Sequence, residues 1–189
     1  MDGQLKLYMV LLGCVPKGRL IEQHDIFFGI GTSIADLAPE MKAFWPDGIQ
    51  LHVDSFREVT SANGYKIDIV PKGENFEAEE KLFFINLGGY KAGDLEEYHY
   101  KTVVAAKTMG EAVKISKKSA FYKHYGFKGA ESHIDDKYGI DIDDMHKVED
   151  ILATTYRERY SIRITPAEEG LPEDEMYIGY LLLGKKPKN

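Results

Sequence analysis

The sequence has little of several things, and each shortage excludes a class of protein. One cysteine, Cys14, stands among 189 residues, so no disulfide can form within the chain and a reducing compartment is expected. Basic residues number 24 against 31 acidic ones, giving a net charge of −7. A nucleic-acid binder needs a basic surface to neutralise phosphates, so that class is set aside. The one basic cluster, Lys185-Lys186-Pro187-Lys188, reads as a solvated tail. No apolar run approaches the roughly 18 residues of a spanning helix, and no membrane partner is expected. Leu11-Leu12-Gly13-Cys14 imitates a lipoprotein cleavage box. The apolar run before it is shorter than the roughly 7–15 residues of a signal core, and a similar run lies mid-chain, so a buried strand is the better reading. A cytoplasmic protein is expected.

What is present is a sequence written twice. Lys6-Leu7-Tyr8-Met9-Val10-Leu11-Leu12-Gly13 returns as Lys81-Leu82-Phe83-Phe84-Ile85-Asn86-Leu87-Gly88. In the same register Gly18 meets Gly93, Glu22 meets Glu97 and His24 meets His99, each 75 positions apart. After a few extra residues, His52-Val53-Asp54 meets His133-Ile134-Asp135, and Lys66-Ile67-Asp68 meets Lys147-Val148-Glu149. The organisation expected is a first repeat unit over 1–75, a second over 76–152, and a C-terminal strand pair with a tail over 153–189, together in one compact domain.

Within the first unit, the continuous apolar run Lys6 to Leu12 predicts a strand covered on both faces. Glu22 to Gly31 predicts a second, antiparallel to it across the loop at Pro16 and Gly18. Ser33 with Asp36, and Thr108 with Glu111, are repeated capping boxes that start a helix in each unit. Pro39 removes an interior hydrogen bond and predicts a kink near Ala38. In the second helix Met109, Val113, Ser116 and Ala120 share one stripe. Ile49 to Val59 alternates as a strand, and Asn63-Gly64 predicts a tight hairpin into Tyr65 to Val70. Arg159 to Thr165 and Met176 to Leu183 predict two further strands. The fold class is α+β: a duplicated strand-strand-helix-strand-strand unit with mainly antiparallel sheet and a C-terminal strand pair.

Four of the six histidines occupy repeated positions, each with a carboxylate two residues away. Residues two apart on a strand share a face at about 7 Å. If the Glu-x-His and His-x-Asp edges meet, two imidazoles and two carboxylates make a set for zinc, manganese or iron. The candidate metal ligands are Glu22, His24, His52 and Asp54, with Glu97, His99, His133 and Asp135 in the second unit. The competing reading is that each carboxylate fixes a tautomer or closes a hydrogen-bond network without chemistry. The first gives a metal-dependent, hydrolytic enzyme. The second gives a non-catalytic binding or scaffold module, a candidate homodimer through an exposed sheet edge, and is the reading preferred from sequence. Other motifs carry less. Gly29-Ile30-Gly31 lacks the third glycine of a phosphate loop, Asp141-Ile142-Asp143-Asp144 lacks the glycine and glutamate of a calcium loop and reads as a solvated acidic turn, and Cys14 lacks the electropositive setting of a nucleophile.

The opening Lys6-to-Gly13 run, Glu-Gln-His-Asp (22–25), Leu-His-Val-Asp (51–54), Asn-Gly-Tyr-Lys-Ile (63–67), Asn-Leu-Gly-Gly-Tyr (86–90) and Ser-His-Ile-Asp-Asp (132–136) together resemble the bacterial proteins of domain of unknown function 1543. The resemblance spans roughly residues 5–152. It implies a soluble bacterial protein and brings no activity or catalytic residue.

Overall fold

The computed structural model describes residues 4–77, 79–90, 93, 95–118, 142–168 and 170–183. The chain forms two compact units, one of Met1–Phe76 with Leu152–Asn189, the other of Glu77–Ile151. The class is mixed α and β, mainly antiparallel sheet with few helices.

In the first unit, β1 (Lys6–Cys14) pairs antiparallel with β2 (Gln23–Gly31), and its other edge takes β3 (His52–Glu58). Leu7, Tyr8, Val10, Leu12 and Cys14 are all buried, so the apolar run is covered on both faces. Asn63 and Gly64 have φ of 36° and 90°, the positive pair a two-residue turn requires. They join β4 (Ser61–Ala62) to β5 (Tyr65–Pro71). Pro39 acts differently from expectation. Ile34–Leu37 is a 3-10 turn, and a separate helix α1 (Ala38–Phe44) begins with Pro39 in its first turn. There the missing N–H is one that no helix would pair anyway, so the proline starts a helix instead of kinking one. Asp36 accepts hydrogen bonds from the Ser33 and Thr32 amides and the Thr32 hydroxyl, which hold its carboxyl below the usual range.

In the second unit, β6 (Lys81–Tyr90) pairs with β7 (Glu97–Ala106), and helix α2 (Met109–Lys117) follows. The Thr108 hydroxyl caps it by accepting from the Glu111 amide. Ala112 and Ser116 are buried, with Met109 and Val113 packed against a core of Phe83, Ile85, Leu87 and Val104. Ala120, the last residue expected on that stripe, lies outside the described residues. The opposite edge of β6 takes β8 (Ile142–Lys147). Here the expected order fails. Val148–Ile151 is a helical turn, so Lys147-Val148-Glu149 is no counterpart of the strand residues Lys66-Ile67-Asp68.

The last two strands, β9 (Tyr160–Pro166) and β10 (Met176–Leu182), do not pair with each other. The sheet orders are β10-β3-β1-β2, β4-β5-β9 and β7-β6-β8. Adjacency in sequence suggests a hairpin, but each strand finds an open edge in the first unit, β9 on β5 and β10 on β3. Asp174 secures the segment before β10 by accepting from the Thr60 amide and hydroxyl.

Two side chains give tests of this packing. Cys14 is fully buried, and burial, then the Glu22 carboxylate, push its thiol pKa up. The folded protein should resist iodoacetamide at pH 8 and become labelled in urea, followed by mass spectrometry. Rapid labelling without denaturant would contradict the packing. Burial first, and then the Glu58 carboxylate, raise the Tyr8 phenol to about 12. A raised phenol stabilises the fold below its unfolded value of about 10, and this is lost as pH rises through about 12. The urea midpoint should therefore fall across that window, and less steeply in Tyr8→Phe.

Candidate functional site

The central strand of the first sheet supplies the platform. Gly13 on β1 lies opposite His24 on β2 and opposite His52 on β3. Three neighbouring strands thus put imidazole, glycine and imidazole in one row. The β1–β3 register slips between Leu11 and Leu12, where Leu11 pairs with Ser55 and Leu12 with Val53. This bulge leaves Asp54 unpaired in the ladder, and bulges re-aim side chains in this way. Glu22 sits one residue before β2.

All four side chains meet. His24 Nε2 lies 3.1 Å from Asp54 Oδ2 and 3.5 Å from Glu22 Oε2, and His52 Nε2 lies 2.9 Å from Glu22 Oε1 and 3.3 Å from Asp54 Oδ1. The four nitrogen-to-oxygen separations run from 2.9 to 3.5 Å, and a different oxygen of each carboxylate faces each imidazole. A Cβ on Gly13 would come within 2.6 Å of both Asp54 Oδ2 and His52 Nε2. The absence of a side chain there is what lets the donors converge.

His52 carries the strongest chemical constraint. Its side chain is only 4% exposed, and Nδ1 lies 2.8 Å from the Gln50 carbonyl. A carbonyl only accepts, so Nδ1 holds the proton and donates it. Gln50 itself has φ of 54°, a conformation costly for a side-chain-bearing residue and found where the surroundings demand it. The second nitrogen, Nε2, faces two carboxylates yet makes no hydrogen bond of acceptable geometry, and neither does Asp54 Oδ2. A proton or a metal ion at Nε2 would each match this nitrogen to the facing carboxylates. An imidazole donating its far N–H to a carbonyl is also the usual outer support of a metal ligand. The Tyr180 ring lies 4.3 Å from the His52 ring between centroids, so β10 buttresses the imidazole. Glu22 and His24 are each about 40% exposed, leaving one side of the cluster open.

The second unit repeats the platform with different donors. Gly88 lies opposite His99, the Gly13–His24 pairing shifted by 75 positions. The β6–β8 register slips between Asn86 and Leu87, the residues that correspond to Leu11 and Leu12. Glu97, His99 and Asp143 each direct one ligand atom into a group no more than 4.8 Å across, and His99 Nδ1 is 2.9 Å from Asp143 Oδ2. His133 and Asp135 lie outside the described residues. The strand facing β6 where β3 faces β1 is β8, which puts Asp143 in the place of Asp54. Sequence reasoning missed Asp143 because it took the run 141–144 as a solvated turn. The signal was the paired glycine, Gly13 and Gly88, which fixes where the third strand must bring its carboxylate.

The sequence profile of the Domain of Unknown Function (DUF1543) family matches residues 19–69, in agreement with the motif resemblance. That span contains Glu22, His24, His52 and Asp54. Among solved structures, the chain is similar to the crystal structure of protein Il1583 from Idiomarina loihiensis, with 25% identity and a TM-score of 0.65 over 96% of this chain and 99% of that one. No curated protein matches the sequence. Among the described residues, no helix is long and apolar enough to cross a membrane.

Proposed function

We propose that the protein is a binding module for a divalent metal ion, held by Glu22, His24, His52 and Asp54. The observation that carries this reading is the buried His52 Nε2, unpartnered and aimed at two carboxylates over Gly13. We set the metal reading above the hydrogen-bond reading preferred from sequence because neither His52 Nε2 nor Asp54 Oδ2 has a hydrogen-bond partner of acceptable geometry. Metal-dependent hydrolysis is the second reading, favoured by the exposure of Glu22 and His24, since a catalytic ion needs an open position for water. The shared register and shared bulge support descent of the two units from one duplicated segment. We further read the chain as a cytoplasmic bacterial protein, on its lone buried cysteine and acidic charge. The exposed edge strand β10, carrying Met176, Ile178 and Tyr180, supports a homodimer through a sheet edge. Light scattering showing only monomer at high concentration would remove the dimer.

The test of the metal reading is elemental analysis of protein purified without a histidine tag or chelator, followed by thermal melts. Binding to the folded state alone stabilises it by about 2.7 kcal/mol at a hundredfold excess over Kd. Zinc or manganese should raise the melting temperature, and His24→Ala should remove most of the rise. The rise should also fade in acid, because protons compete for the ligands. An identical melt of wild type with metal and with chelator would end the proposal.

A further inference from the structure

We propose that Glu97, His99 and Asp143 form a second cation site whose preference for zinc over manganese is weaker than that of the four-donor site. This rests on the metal reading above and extends it to the second unit. The scaffold is shared: a hairpin with the same register, a glycine opposite the first histidine, and a bulge at the same place on the central strand. On it, a Cβ at Gly88 would meet both Asp143 oxygens and Glu97 Oε1 within 2.7 Å, so this glycine too holds space beneath a donor cluster. What differs is the donors. The first site has two imidazoles and two carboxylates, and the second has one imidazole and two carboxylates among the described residues.

Donor type then sets selectivity. Imidazole suits zinc, whereas carboxylate and water suit manganese, magnesium and calcium. The flanking side chains are about equally exposed in the two sites, His99 38% and Asp143 25% against His24 41% and Asp54 26%, and the buried His52 beneath the first is what differs among the described residues. With the donors among the described residues, one imidazole against two, an ion in the second unit has fewer nitrogen bonds to favour zinc. The Irving–Williams order still makes zinc bind each site more tightly. The inference concerns the ratio, which should be smaller in the second unit by about tenfold or more.

The experiment uses the full chain, stripped with chelator and dialysed against zinc chloride or manganese chloride, with bound metal counted by elemental analysis. Wild type should bind two manganese ions with separate affinities. His24→Ala should retain one manganese site and lose its tighter zinc site. Asp143→Asn and Glu97→Gln, both at partly exposed positions, should each do the reverse, with circular dichroism unchanged. The inference is overturned if both of these substitutions leave the manganese isotherm as in wild type. It is equally overturned if the zinc-to-manganese ratio left in His24→Ala equals that left in Asp143→Asn. Failure of the first site alone would look different: His24→Ala would change nothing, while Asp143→Asn removed all bound metal.

Discussion

Gly13→Ala should lower zinc affinity at least about tenfold, no less than removing an outer hydrogen-bond partner of a ligand does, while leaving β1 paired. The backbone at Gly13 is not in the left-handed region, so alanine meets no conformational barrier. Its Cβ, however, would press to 2.6 Å on Asp54 Oδ2 and His52 Nε2. His52 is held from behind by the Gln50 carbonyl and from the side by Tyr180, so Asp54 must swing away and the donor set opens. Overpacking of this kind costs about 1–3 kcal/mol in a tight core, and less here because Asp54 and His24 border solvent. Competition with a chromophoric chelator measures the affinity, and urea unfolding of the metal-free protein measures stability. Unchanged zinc affinity in the variant would mean that the ion, if bound, does not sit above Gly13.

Leu37→Ala should destabilise the first unit by about 2–5 kcal/mol, towards the upper end. Leu37 is fully buried, and it sits on two glycines: Cβ atoms built at Gly29 and Gly31 would lie 3.1 Å from its methyls. Glycines have no side chain with which to fill the hole that alanine leaves, so little relaxation is available. Domains of this size have only about 5–15 kcal/mol of stability in total, which makes the loss a large share. Trp45, the sole tryptophan, caps α1 in the same unit, and its fluorescence during urea unfolding reports the change directly. A midpoint within experimental error of wild type would show that Leu37 is not the packing centre of that layer.

Strand existence and the pairing of strands joined by short turns, such as β1 with β2, were legible in the sequence, and the partners of the last two strands were not. The apolar run of β1, the Asn63-Gly64 turn and the capping residues Asp36 and Thr108 each act over a few positions, so local chemistry reveals them. The meeting of Glu22, His24, His52 and Asp54 is of another kind, because it needs β2 and β3 both to flank β1 and to do so in one register. Partners of β9 and β10 depend on which edges lie open once the rest has folded, and periodicity carries no such information. Spacing alone also favoured His133 and Asp135, since a His-Ile-Asp triplet looks like His-Val-Asp. The ladder counted from Gly88 arrives at Asp143, through residues that share no motif with the first unit. Pro39 was misread because its effect depends on its position within a helix, and the helix start was placed too early.

The route of the chain through the first unit has a consequence for how the protein is made. Its sheets take β1 to β5 from one end of the sequence and β9 and β10 from the other, with the whole second unit synthesised in between. On the ribosome the second unit is complete in sequence, and free to fold, while the first still shows β3 and β5 with unpaired edges. At about 5–20 residues per second, the roughly one hundred residues separating β5 from the end of β9 keep those edges waiting for several seconds. Open edges invite pairing with other chains. The pairing of β9 with β5 and of β10 with β3 is therefore the step that ends a vulnerable interval in biosynthesis, and slowing translation between residues 77 and 151 should lengthen it.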